Sequence, residues 1–148
     1  MRISSKGRYG LAAMIEIARN YQSGSYITVV SLSQKLGISK IYLEQVFSLL
    51  KKAELVEAAK GAQGGYRLAK PPQKMTVLEV LKALEQSLFE KTVKSVSRTA
   101  GDIEEAMQEK VFSALDHAAT ETLGEVTLYD LVNEADRHRA SESYMFYI

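Results

Sequence analysis

Residues 28–68 restrict the fold most. They hold two short helical patterns joined by a three-residue turn, followed at once by a glycine-rich hairpin. Thr28 offers an N-cap to the first pattern, in which Val29, Leu32 and Leu36 are spaced to face inward and Gly37 supplies the stop. Ser31 with Gln34 forms a rival capping box, so this start is placed to within a turn. Ser39 caps the second pattern, where Tyr42, Leu43, Val46, Phe47 and Leu50 recur at helical spacing. The Gly37-Ile38-Ser39 joint is as short as the turn of a helix-turn-helix must be. Leu55-Val56 and Tyr66-Arg67-Leu68 then read as short strands around Gly61, Gly64 and Gly65, glycines that permit positive φ and keep bulk away from the hairpin tip. Helix-turn-helix plus hairpin is a winged helix.

The second of these helices combines two properties that a DNA-reading helix needs. Val46, Phe47 and Leu50 anchor it, while Ser39, Lys40, Tyr42, Glu44 and Gln45 project from its first turns. Glutamine pairs bidentately with adenine, glutamate accepts from cytosine N4, and serine or tyrosine reaches phosphate or base edges. Lys51, Lys52 and Lys60 add phosphate charge without sequence information. In the wing, Gly64 and Gly65 let a backbone enter or straddle a minor groove, with Lys60 or Arg67 meeting its negative potential. The alternative is a winged helix that serves as a protein-interaction module, its polar residues merely solvated.

Charge partition discriminates between the two. The net charge of +1 conceals a balance of +8 over residues 1–74 and −7 over residues 75–148. A basic half that coincides with the helix-turn-helix is the footprint of a phosphate-binding surface.

Elsewhere the chain reads as helical. A first helix spans about residues 5–21, with Leu11, Met14, Ile15, Ala18 and Tyr21 on one stripe. Thr76 with Glu79 makes a capping box for a helix carrying Val77, Leu78, Leu81 and Leu84. Residues 87–101 lack a period and read as a linker. Asp102 with Glu105 opens the longest helix, where Ile103, Met107, Val111, Ala114, Ala118 and Thr122 recur every three or four residues up to Gly124. The stripe suits either an intramolecular core or a partner, and one so narrow in a small chain favours a partner. Glu104, Glu105 and Glu109 read as the solvated face of that helix, and His117 as a solvated or interfacial residue. Thr127 caps a last helix, with Asp130 in its first turn, extending to about Ala135. The expected organisation is mainly α with a small β-hairpin: a winged helix-turn-helix domain over 1–86, a linker over 87–101, a helical dimerisation region over 102–135 and a tail over 136–148.

With 148 residues and no cysteine, the chain has room for a proper core but no thiolate nucleophile, disulfide or sulfur ligand. Its two histidines, His117 and His138, are too few and scattered for a metal site. No nucleophile–base pair or phosphate loop suggests a small hydrolase or isomerase. No apolar run approaches a membrane helix and the start lacks a signal-peptide core, so the cytoplasm is expected.

Three segments resemble the Rrf2 family of winged helix-turn-helix regulators: residues 1–10 (MRISSKGRYG), 38–45 (ISKIYLEQ) and 60–69 (KGAQGGYRLA). The likeness covers about residues 1–135. It implies operator binding as a dimer, with Ser39, Tyr42, Glu44 and Gln45 reading or positioning DNA, and twofold pairing through the long helix. Lys60 stands where many relatives have arginine, and Ile41 where some have a small polar residue, so the operator sequence does not transfer. Several members hold an iron–sulfur cluster on three cysteines; the matching stretch, residues 88–108, has none, which excludes thiolate ligation and thiol redox sensing here. No cofactor is therefore expected.

The ending Tyr144, Met145, Phe146, Tyr147, Ile148 resembles that of the CymR branch, regulators of cysteine metabolism that partner with O-acetylserine (thiol)-lyase. That resemblance implies the lyase as partner. A terminal carboxylate on an apolar side chain is the kind of group a backbone nest captures, so Ile148 is expected in the lyase's substrate pocket. The regulator is expected to be a repressor. The alternatives are an aromatic tail folded on its own dimer and direct small-molecule sensing.

Overall fold

The computed structural model describes residues 2–61 and 64–146, with side chains through residue 143. The expected architecture, mainly helical with one antiparallel hairpin, is what it shows.

Helix α1 (Ser5–Arg19) starts at Ser4, whose hydroxyl accepts the Gly7 N–H. Its buried face is not the stripe expected from apolarity alone. Gly7, Gly10, Ala13, Met14, Ile17 and Ala18 face inward, while Leu11, Ile15 and Tyr21 pack at the flank. The rotation comes from close approach: a β-carbon on Gly10 would strike the Leu84 side chain, and one on Gly7 the Glu85 carboxylate.

Helix α2 (Val29–Leu36) is capped by Thr28, which accepts the Ser31 N–H at 3.0 Å, so the rival start at Ser31 is not used. Gly37, at φ +67°, ends it, and the Ser33 hydroxyl donates to the Ile38 carbonyl at 2.6 Å across the turn. Ser39 caps helix α3 (Lys40–Lys52), which buries Leu43, Val46, Phe47 and Leu50.

Strands β1 (Val56–Ala59) and β2 (Gly65–Leu68) pair antiparallel from Val56↔Leu68 to Ala59↔Gly65. The first strand thus starts one residue later than the Leu55-Val56 pattern suggested and runs further into the wing. Ile27 adds a rung outside the hairpin: its N–H and carbonyl exchange 2.8 Å hydrogen bonds with Tyr66.

Helix α4 (Val77–Leu84) carries the expected capping box of Thr76 and Glu79. After a 3-10 turn over Gln86–Phe89, helix α5 (Gly101–Met107), a π-helical turn (Gln108–Phe112) and helix α6 (Ser113–Glu125) follow without a break. No Asp102–Glu105 capping box opens this stretch; Ala100 is the N-cap, without a side-chain bond. Glu104 corrects its expected place on the solvated face. It is 4% exposed, and its carboxylate accepts the Ser95 N–H at 3.1 Å and the Val96 N–H at 2.9 Å, folding the linker back onto the helix.

Helix α7 (Leu128–Phe146) continues well past Ala135, through the segment expected as a tail. Its start repeats the reciprocal capping of α4, with Thr127 and Asp130 bonding each other's backbone N–H. No glycine or proline interrupts residues 128–146, and Glu134 pairs with Arg137 and, at 3.1 Å, with His138, so the polar stretch stays helical.

The chain then returns to its beginning. Val77 N–H donates to the Val126 carbonyl and Leu128 N–H to the Met75 carbonyl, both at 2.9 Å. Leu128 is fully buried in the winged-helix core, and Arg19 meets Asp136 at 3.2 Å. Buried Glu16 ties α1 to α2 through Lys35 at 2.6 Å.

Candidate nucleic-acid interface

Helix α3 divides as its sequence suggests. Lys40, Ile41, Glu44, Gln45 and Ser48 lie on one exposed face, opposite the buried Leu43, Val46, Phe47 and Leu50. Ser39 is exposed, but its hydroxyl is occupied in part by the Tyr42 N–H at 3.2 Å, so it serves the helix start as well as the surface. Lys40 and Glu44 stand 3.9 Å apart, a loose i,i+4 pair that leaves both able to turn to a ligand. Tyr42 is half-buried and meets Tyr9 edge-on, with ring centroids 5.5 Å apart. That contact fixes the phenol at the foot of the exposed face. Tyr9 was missed from sequence, because a contact between two helices this distant in the chain leaves no local period.

Between α3 and the wing lies an open groove of about 470 Å³. Lys40 and Lys51 border it from α3, Lys60 and Gly61 from the wing, and Thr28 to Val30 from the start of α2. Three lysines from two elements thus line one concavity together with the amide end of a helix, which favours an anion such as a phosphate chain. Lys52 is exposed but lies outside this groove.

The wing is tied to α3 by an aromatic stack. Tyr66 lies on Phe47 with centroids 4.4 Å apart and planes 14° from parallel. Gly65, at φ +134°, leaves room for the Ile27 backbone, whose carbonyl carbon would sit 2.5 Å from an added β-carbon. Gly64 is buried and closes the turn with an N–H bond to the Gly61 carbonyl at 3.0 Å. Ala62 and Gln63, between them, lie outside the described residues.

Arg67 is not the free wing cation that its position in the motif suggested. It pairs with Glu57 at 3.0 Å, donates to the Gly24 carbonyl at 3.3 Å and lies 4.5 Å over the Tyr26 ring. Facing Glu57 across the two strands, it is held on the side of the hairpin rather than at its tip. Lys60 alone keeps an unpaired charge near the tip among the described residues.

A second surface lies on α5 and α6. Ile103, Val111 and Leu115 are 54%, 51% and 55% exposed, and Ala114 and Ala118 are exposed beside them; Met107 is half-buried. Leu115 was absent from the expected stripe, since the π turn shifts the phase of the face after Met107. His117 points to solvent and pairs with Glu121 at 3.4 Å. Of the aromatic ending, residues 144–146 form the last turn of α7; Tyr147 and Ile148 lie outside the described residues.

Two carboxylates are displaced. Burial alone would raise Glu79, but its hydrogen bond to Lys70, the Thr76 N–H and the Lys70 charge outweigh it and hold its pKa below the usual carboxylate value. The Arg137 hydrogen bond lowers Glu134 likewise.

Against known proteins, the profile of the Rrf2 family, iron-dependent transcriptional regulators by its description, matches residues 3–134. The HTH-type transcriptional regulator CymR of Bacillus subtilis is 36% identical over 148 residues, the full length of both chains. IscR of Cronobacter sakazakii is 35% identical over 136 residues, 92% of this chain and 83% of that protein. Among solved structures, B. subtilis CymR, the global cysteine regulator, aligns with a TM-score of 0.75 at 32% identity, covering 90% of this chain and 98% of that one. The oxidised form of Staphylococcus aureus CymR gives 0.70 at 29% identity, over 89% and 96%.

An iron–sulfur group does not fit the residues here. The sequence has no cysteine, no group of three or more metal-ligating side chains occurs among the described residues, and the linker is instead gripped by the Glu104 carboxylate.

Proposed function

The chain belongs to the Rrf2 family of transcriptional regulators, and from that premise we propose a homodimeric repressor that binds its operator without a metal. Two copies pair along Ile103, Met107, Val111, Ala114, Leu115 and Ala118. Each α3 enters a major groove with Gln45 and Glu44 at the base edges and Ser39 and Tyr42 positioning it. Lys40, Lys51 and Lys60 hold phosphates along the groove, while Gly64 and Gly65 bring the wing backbone close to the duplex. The observation that carries this reading is the exposed polar face of α3 beside a groove where three lysines meet.

Selection of bound fragments from a genomic library tests it directly. Gln45→Ala or Glu44→Ala should change which fragments are retained, whereas Lys51→Ala or Lys60→Ala should weaken all of them evenly. Failure to retain any fragment even at low salt would leave a protein-interaction winged helix, and equal retention of random DNA would remove the sequence-specific reading.

For control, we place the protein in the regulation of cysteine metabolism, in the cytoplasm, with O-acetylserine (thiol)-lyase as partner. The full-length likeness to CymR supports this, together with an α7 that continues as helix through the exposed residues 136–143. Removing residues 144–148 should abolish lyase binding in a titration; unchanged affinity refutes the partnership. Direct sensing of a small molecule is favoured by a different observation. A cavity of about 260 Å³ between the 86–89 turn and α6 is walled by Leu88, Phe89, Leu115 and Leu123, with Lys91 and Asp116 at its edge. A thermal-shift screen of cysteine precursors, with and without the lyase, separates the two.

A further inference from the structure

Ile41 is out of place on any account that stops at charge and hydrogen bonding. It occupies the first turn of α3 and is 71% exposed. The inward face of the helix is complete without it, built from Leu43, Val46, Phe47 and Leu50. Its neighbours one turn on, at i+3 and i+4, are the exposed Glu44 and Gln45. A single apolar side chain among charges is too small a patch to seat a protein partner. On the base edges of a major groove there is one apolar group, the C5-methyl of thymine, and it is the group an aliphatic side chain reads.

We propose that Ile41 is a thymine reader, packing its branched side chain on the C5-methyl of one thymine in each half-site. The inference rests on the operator-binding reading above. It completes the alphabet of this helix: Gln45 suits adenine and Glu44 suits cytosine, but neither recognises a methyl group. The first turn is where a recognition helix approaches base edges. A β-branched side chain in a helix is confined to one dominant χ1 rotamer, so Ile41 meets the methyl with little ordering cost.

The test uses the duplex that the full-length protein itself selects from a random-sequence library. Each thymine is replaced in turn by deoxyuridine, which removes only the methyl. Wild-type binding should weaken roughly fourfold per half-site at one thymine position, the equivalent of one buried methyl group. Ile41→Val should keep that sensitivity and Ile41→Ser should lose it, while both still prefer the selected duplex to scrambled DNA. Uniform tolerance of deoxyuridine by the wild type, or equal sensitivity in Ile41→Ser, overturns the assignment of Ile41 and leaves operator binding standing. Loss of all preference for the selected duplex over scrambled DNA in the wild type overturns both.

Discussion

Gly65→Ala should detach the wing. At φ +134° this residue lies beyond the left-handed helical region, and an alanine held there is strained by about 1–3 kcal/mol. The added β-carbon also meets the Ile27 carbonyl, which cannot retreat because it and the Ile27 N–H are both bonded to Tyr66 at 2.8 Å. Overpacking of this kind adds about 1–3 kcal/mol, for a total near 4 kcal/mol. Gly61→Ala is the control: its φ is +98°, but open space surrounds it, so only the backbone strain of about 2 kcal/mol applies. Hydrogen exchange at the Ile27 and Tyr66 amides reads the difference, since both N–H groups lie in the rung that must open. Exchange should quicken by roughly a thousandfold in Gly65→Ala and about thirtyfold in Gly61→Ala. Equal acceleration in the two variants would refute the claim that close approach, rather than φ alone, demands glycine at position 65.

If Lys40, Lys51 and Lys60 each neutralise a phosphate, single alanine substitutions should each reduce the slope of log affinity against log salt by about 0.9, measured by fluorescence anisotropy; an unchanged slope removes that lysine from the interface. Glu104→Ala leaves the Ser95 and Val96 N–H groups without their acceptor and should cost about 1–3 kcal/mol in urea unfolding, with Glu104→Gln recovering part of it; coincident midpoints would show that the linker is not held there. Because the folded pKa of Glu79 is depressed, its stabilisation is present above an unfolded value of about 4.3 and disappears as pH falls through the folded value. The stability gap between wild type and Lys70→Ala should therefore narrow between about pH 5 and pH 3. The effect is modest for so exposed a pair, and a constant gap across that range would remove Lys70 as its cause.

Local signals carried most of the fold. Thr28, Ser39, Thr76 and Thr127 mark helix starts by side-chain chemistry that acts within three residues, and each caps as read. Contacts made across the chain left no such trace. Gly7 and Gly10 face the core because α4 lies against them, yet in sequence they weaken a helical stripe. Glu104 reads as a surface carboxylate until the linker brings two N–H groups to it. The exposed face of α3 was legible because burial on a helix is periodic. The commitment of Arg67 was not, since it depends on Glu57 across the hairpin and on Tyr26 and Gly24, outside both strands.

The Phe47–Tyr66 stack makes the winged helix a calliper with a fixed gauge. One jaw is α3 and the other the hairpin, and the two rings, Phe47 in the core cluster and Tyr66 packed against it, are the spacer between them. If the two grip the operator as proposed, fixed jaws transfer the work of fitting to the duplex: a sequence whose grooves already match the gauge is gripped without distortion, and a stiffer or wider one must be bent or compressed first. Selectivity then extends to base pairs that no side chain touches, and changing the spacer changes which DNA shapes are admitted without altering a single residue at the base edges.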